Sequence, residues 1–191
     1  MRYEQQTLCD RAVAATDVSF TISDPGESDH PLIWVNPAFT RLTGYSLDEA
    51  TGRNCRYLQG PNTDRAVVAR IGGALAGHQT VTETLLNYRK DGTAFWNQVA
   101  LSPVTDANGE VVHYVGVQTD VTERIVVETE RRAALATAEE ARNDLRLLTD
   151  ATTWMTEALD IAEAADRLTR AVVPSVADYC AVDLLDETTG R

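Results

Sequence analysis

Residues 80–119 read TVTETLLNYRKDGTAFWNQVALSPVTDANGEVVHYVGVQT. Three runs in that stretch, 80–89, 94–103 and 110–119, are rich in β-branched and aromatic residues, which suit a pleated, half-buried surface. Asp91-Gly92 parts the first two and is a strong hairpin turn signal, because such turns need positive φ. The turn DANG at 106–109 parts the second and third. Three long strands on short turns make an antiparallel meander.

Upstream, VSFTIS at 18–23 and LIWV at 32–35 read as two shorter strands, with a turn at Asp24-Pro25-Gly26 between them. Asn36-Pro37 then opens a helical stretch, since proline at the first helical position loses no hydrogen bond. Gly44 ends it. Ser46 followed by Glu49 has capping-box spacing for another short helix, which Gly52 closes. Residues 53–58 read as a further helical turn carrying Cys55. Thr63 to Ala76 reads as the longest helix of this region, with Val67, Val68, Ile71 and Leu75 as its buried stripe. Two strands, several helices and three strands give an α+β class with helices against one face of a sheet. Ahead of all this, Leu8, Ala12 and Ala15 could line one face of a cap helix within 1–15, packed on the main domain or on a partner chain.

Downstream the character changes. No Gly or Pro occurs between Val121 and Pro174, and residues 122–159 are rich in good helix formers. Val127, Arg131, Ala134, Ala138, Ala141, Leu145, Leu148, Thr152, Met155 and Leu159 recur at alternating four and three. A heptad of that kind favours a coiled-coil seam. Arg131 and the alanines weaken it, and a single helix lying on its own domain is the alternative. Residues 161–173 continue as an amphipathic helix until Pro174, and DYCAVDLL at 178–185 reads as a strand. A lone helix and strand cannot close a core, so 160–191 are expected to be the start of a second domain.

The formal charge of −12 repels nucleic-acid backbones and anionic membranes, so neither is an expected partner. The three cysteines, Cys9, Cys55 and Cys180, are widely spaced, and His30, His78 and His113 are scattered, which points away from zinc and from a disulfide scaffold. With no long apolar run and no signal peptide, the expected location is cytoplasmic.

The chemistry centres on Gly52-Arg53-Asn54-Cys55-Arg56-Tyr57-Leu58-Gln59-Gly60. On its residues alone, Cys55 is either a thiol activated by two flanking arginines or an inert buried cysteine. This segment resembles the signature of LOV domains, the flavin-binding blue-light sensors of the PAS superfamily. Val35-Asn36-Pro37-Ala38-Phe39, Leu42-Thr43-Gly44-Tyr45, Asn87-Tyr88-Arg89-Lys90-Asp91-Gly92, Phe95-Trp96-Asn97 and Val115-Gly116-Val117-Gln118 carry the likeness further, across residues 16–121.

The resemblance implies a PAS-type five-stranded antiparallel sheet, followed by the linker helix, and flavin mononucleotide (FMN) as cofactor. It makes Cys55 the photochemical residue, forming a reversible bond to flavin carbon C4a after blue-light excitation while N5 takes a proton. Asn54 and Gln59 match positions near the flavin chain or ring edge. Asn87 and Asn97 match positions on its pyrimidine side, where a carboxamide offers both donor and acceptor. Gln118 matches the glutamine beside N5, and a turned amide there would relay the change into the last strand. Arg56 matches the phosphate-binding arginine. A second such arginine in many members falls here at Gly72, which leaves Arg70 or Arg65 to compensate and opens the site to riboflavin.

Residues 160–191 resemble the start of a GAF domain, through Val173-Pro174-Ser175 to Leu185. Such segments often precede a phosphatase, and a histidine kinase is the other expectation. The expected assembly is a homodimer through the N-terminal cap and residues 122–159, controlling an output domain absent from this chain, which is itself not expected to be an enzyme. A flavin-binding redox or ligand sensor without photochemistry is the alternative. A hydride-transfer flavoenzyme lacks any signal for a substrate cleft.

Overall fold

The computed structural model describes residues 11–157, together with 165, 166, 169 and 170. The chain divides into two units, Met1–Val127 and Glu128–Arg191. In the first unit β1 (Ser19–Ser23), β2 (Leu32–Val35), β3 (Val81–Tyr88), β4 (Ala94–Thr105) and β5 (Val111–Asp120) form one antiparallel sheet in the order β2-β1-β5-β4-β3. The helices α1 (Pro37–Thr43), α2 (Leu47–Ala50) and α3 (Arg65–Ala76), with a 3-10 turn at Cys55–Leu58, connect β2 to β3. Helix α4 (Thr122–Glu157) follows β5 directly. The expected α+β class with a PAS-type sheet and a long C-terminal helix is what the structure shows.

The meander sits where its turns place it. Gly92 has φ of 87°, the left-handed conformation a hairpin turn of this kind demands. The capping box forms as well: Glu49 N–H donates to Ser46 Oγ, and Ser46 N–H donates to the Glu49 carboxylate. Helix α3 starts two residues later than the sequence suggests. Asp64 caps it, while Thr63 is buried and donates its hydroxyl to Leu86 O at 2.6 Å. A threonine able to satisfy a strand carbonyl is worth more inside than as the first helical residue.

A small core of Leu32, Val35, Phe39, Ala50 and Leu58 lies under α1 and α2. Asn36 ties its edges together. It is 1% exposed, and its side chain accepts from the N–H of Phe39 and of Phe20. Its amide donates to the carbonyls of Val13 and Val18. One residue thus caps α1, seats β1 and anchors the segment before it. Residues 11–15 are helical. Asn36→Ala should cost about 3 kcal/mol, from a lost cap and buried partners left unpaired. Urea unfolding would measure it, and a loss under about 1 kcal/mol would contradict the role.

Of the α3 stripe only Val67 is buried; Val68, Ile71 and Leu75 are half-buried because they face a cavity rather than a packed core. That corrects the expected continuous buried face. In the second unit, Leu145 and Leu148 of α4 are each more than 60% exposed, and Val127, at the end of the first, is 56% exposed. Ion pairs Glu128–Arg132 and Arg146–Asp150 run along the same helix. No described helix is long and apolar enough to cross a membrane. Of 160–191 only residues 165, 166, 169 and 170 are described, all helical. The expected strand at 178–185 and the GAF-like start lie outside the described residues, as does residue 8 of the cap.

Candidate functional site

A cavity of about 320 Å³ lies between α3, the Cys55 turn and the inner face of the sheet. That is the scale of a small-molecule site. Helix α3 lines it with Val68, Ile71 and Leu75, and the sheet lines it with Leu85, Val99 and Leu101. These are apolar walls suited to the faces of a flat ring. Strand β1 lines it with the hydroxyl residues Thr21 and Ser23; Ser19 and Thr21 are buried on its inner face, while Phe20 and Ile22 on the other face are half-buried. Gly116 leaves room beside them, since an added Cβ would overlap Thr21 Oγ1 and come within 3.1 Å of Leu101 Cδ2. Small residues on β1 and β5 make the space.

The polar groups stand at one rim. Leu85 pairs with Asn97 across β3 and β4, so Asn87 and Asn97 are diagonal neighbours on one sheet face. Both are buried. Asn97 Nδ2 donates to Asn87 Oδ1 at 2.9 Å, and Asn87 Nδ2 donates to Leu86 O at 3.2 Å. Asn97 Oδ1 has no partner. A buried acceptor left unpaired costs about 1–3 kcal/mol, so this atom suits an incoming N–H donor.

Gln118 occupies the central strand β5, opposite Ser19 on one side and Val99 on the other. Its Oε1 accepts from Ser19 Oγ at 3.3 Å, and its Nε2 lies 3.5 Å from Thr21 Oγ1 and 3.7 Å from Cys55 Sγ. The 3-10 turn holds Cys55 over the same space. Asn54 caps that turn, accepting from Arg56 N–H at 2.9 Å.

Cys55 is free and half-buried, and it lines the cavity. Burial pushes its thiol up to about 12, against a smaller lowering by the Gln118 hydrogen bond. The flanking arginines do not activate it. Arg53 stacks over Tyr57, 4.1 Å from the ring centroid, and Arg56 pairs with Asp29. Of the two readings the sequence left open, this favours a thiol that the arginines do not activate. With Cys9 and Cys180 replaced by Ser, dark alkylation of Cys55 should be slow at pH 7. It should still be climbing at about pH 10, where an ordinary thiol, with its midpoint near about 8.5, has levelled off. A plateau below pH 8, read by mass shift, would contradict this.

Asn54, Cys55, Arg56, Gln59, Asn87, Asn97 and Gln118 all line this one cavity. Arg70 does not. It grips Glu83 through Nε at 2.5 Å and Nη2 at 2.9 Å, outside the lining. Arg65 reaches the Gln59 carboxamide instead, at 3.4 Å. Tyr114 and His30 belong to the lining and were not anticipated. Tyr114 donates to Leu75 O at 2.7 Å and so pins the end of α3 to β5. The alternation in β1, polar inward and apolar outward, was the available signal for Ser19 and Thr21.

Residues 17–123 match the family model described as PAS domain. The chain belongs to the PAS domain family. Within that family it is homologous to LOV photoreceptor domains. The chain is 43% identical over 134 residues to a blue-light-activated histidine kinase of Brucella ovis, covering 69% of this chain and 27% of that protein. It is 37% identical over 166 residues to the bacterioopsin transcriptional activator of Halobacterium salinarum, covering 86% and 25%. The chain thus spans about a quarter of the length of these curated relatives. Among solved structures, an RNA-binding light-oxygen-voltage receptor superposes with TM-score 0.66 at 40% identity, covering 73% of this chain and 40% of that one. The LOV domain of the Erythrobacter litoralis blue-light-activated histidine kinase gives 0.53 at 44% identity, covering 55% and 96%.

The residues of this PAS domain fit a flavin. Apolar walls suit the ring faces, carboxamides suit an edge of alternating carbonyl oxygens and ring nitrogens, and the orphaned Asn97 Oδ1 suits a ring N–H.

Proposed function

We propose that this chain is a blue-light sensor that binds FMN in the cavity and acts through Cys55. The observation that carries the reading is the placement of the Cys55 thiol beside Gln118, in the same cavity as the paired asparagines. A bound flavin would supply a blue-absorbing ring that, once excited, accepts a thiol at carbon C4a.

The protein supplies the rest. Cys55 would offer the excited ring both its sulfur and its own proton, so no external base would be needed. The raised pKa keeps that proton on sulfur in the dark. The 3-10 turn fixes the thiol in place, which lowers the entropic cost of bond formation. Asn87 and Asn97 hold the ring edge. Asn54, Gln59 and Arg56 hold the chain beyond it.

Gln118 would donate its Nε2 N–H to N5 in the dark, and would have to turn its Oε1 toward N5 once that atom carried a proton. Its strand runs straight into α4. Asp120, two residues on, accepts from Thr122 N–H at 2.9 Å and pairs with Arg89 at 2.5 Å. Val121 N–H donates to Trp96 O, and Trp96 N–H donates to Thr122 Oγ1. A shift in β5 therefore acts on the root of the helix, a two-state element of a familiar kind. Exposed Val127, Leu145 and Leu148 on the heptad support parallel pairing of two such helices. The sensor would then set the geometry of an effector, a histidine kinase or a phosphatase, without catalysis of its own.

The test is a visible spectrum of dark-purified protein before and after blue light. Bleaching with thermal recovery is expected. A yellow protein unchanged by light would favour the redox sensor, and a colourless one after flavin supplementation would overturn both readings.

A further inference from the structure

The arginines near the cavity are already engaged. Arg53 lies over Tyr57 and Tyr45, Arg65 reaches Gln59, and Arg70 is bound to Glu83. Among the described residues Arg56 is the one guanidinium lining the cavity, and its Nη1 is paired with the carboxylate of Asp29. Gly72, also on the wall, has space for a side chain, with nothing within 4 Å of an added Cβ, yet offers no charge.

The backbone of Asp29 is tied to the Cys55 turn. Its φ is 72°, and Asn54 Nδ2 donates to its carbonyl at 2.5 Å. The Asn54 carboxamide thus ties the Asp29 loop to the turn that carries Cys55 and Arg56. We propose that Asp29 is a specificity-determining residue: its carboxylate takes up Nη1 of the Arg56 guanidinium and lowers the preference of the site for a phosphorylated over an unphosphorylated flavin.

The inference rests on the flavin reading above. A phosphate monoester carries about −1.5 to −2 charge near neutral pH. To reach Arg56 it must displace the Asp29 carboxylate or share the guanidinium with it, and like charges at that range repel. Riboflavin meets neither cost. Because Asp29 and Arg56 are both more than half exposed, the effect is screened and should weaken with salt.

Titrating the apo chain with FMN and with riboflavin, followed by flavin fluorescence, tests this. Asp29→Asn keeps a residue type that tolerates positive φ. It should raise FMN affinity about tenfold at low salt and leave riboflavin affinity within twofold. Arg56→Gln should bring the two flavins to within about threefold of each other, and adding Asp29→Asn to it should change that ratio little. An unchanged FMN-to-riboflavin ratio in Asp29→Asn, with both flavins still bound, overturns the role of Asp29 alone. Binding of neither flavin by the wild-type chain overturns the flavin reading and this inference with it.

Discussion

Cys55→Ala should bind flavin in the dark with the colour of the wild type and show no bleaching under blue light. The substitution removes the sulfur and little else. The one hydrogen bond lost is a long one, from Gln118 Nε2 at 3.7 Å, and the cavity walls and asparagine pair are untouched. Dark affinity should therefore change by less than about threefold, because a weak hydrogen bond contributes no more than about 0.5 kcal/mol. The light response should fall at least about a hundredfold, since among the described residues no other cysteine lines the cavity and a hydroxyl is a far poorer nucleophile. Equal bleaching and recovery in the variant, followed at the visible absorption band, would place the chemistry elsewhere.

The second large effect concerns Asn97. Asn97→Leu should weaken flavin binding about a hundredfold while leaving the sheet folded. Leucine is close to asparagine in size, and the backbone pairing of β4 with β3 and β5 does not depend on the side chain. Two polar groups then lose a partner: Asn87 Oδ1 and the ring N–H that Asn97 Oδ1 would accept. At about 1–3 kcal/mol each, their loss accounts for the expected effect. Fluorescence titration measures the affinity, and far-ultraviolet circular dichroism reports the fold. Affinity within threefold of wild type, with the fold intact, would remove Asn97 from the site.

The meander was legible because turn chemistry and strand composition agree: Asp91-Gly92 gives the first hairpin and the DANG turn the second. Asn36-Pro37 and the Ser46–Glu49 box were legible for the same reason, each a local rule that the tertiary structure keeps. The strand order was not. That β1 lies between β2 and β5 follows from long-range pairing, which no local pattern encodes. Seven of the proposed site residues share one cavity, and the motif resemblance pointed to them rather than any property of a lone asparagine or glutamine.

Three points that the sequence left open or misled on have physical causes. The sequence left Cys55 open between an activated and an inert thiol because sequence adjacency does not set direction; Arg53 and Arg56 spend their charge on tyrosine rings and on Asp29. The α3 stripe looked like core because a periodic apolar face reads the same whether it meets a packed layer or a cavity. Arg70 was invoked to replace the absent side chain at Gly72, but Glu83, on the neighbouring strand β3, holds it.

The most direct test of the account is a light-minus-dark infrared difference spectrum of the flavin-loaded chain, in which Cys9 and Cys180 have been replaced by Ser so that only one thiol remains. The account predicts that the S–H stretch of Cys55 is present in the dark, disappears under blue light and returns as the visible absorption recovers. A thiol band unchanged by light, in a sample whose visible absorption bleaches, would contradict it.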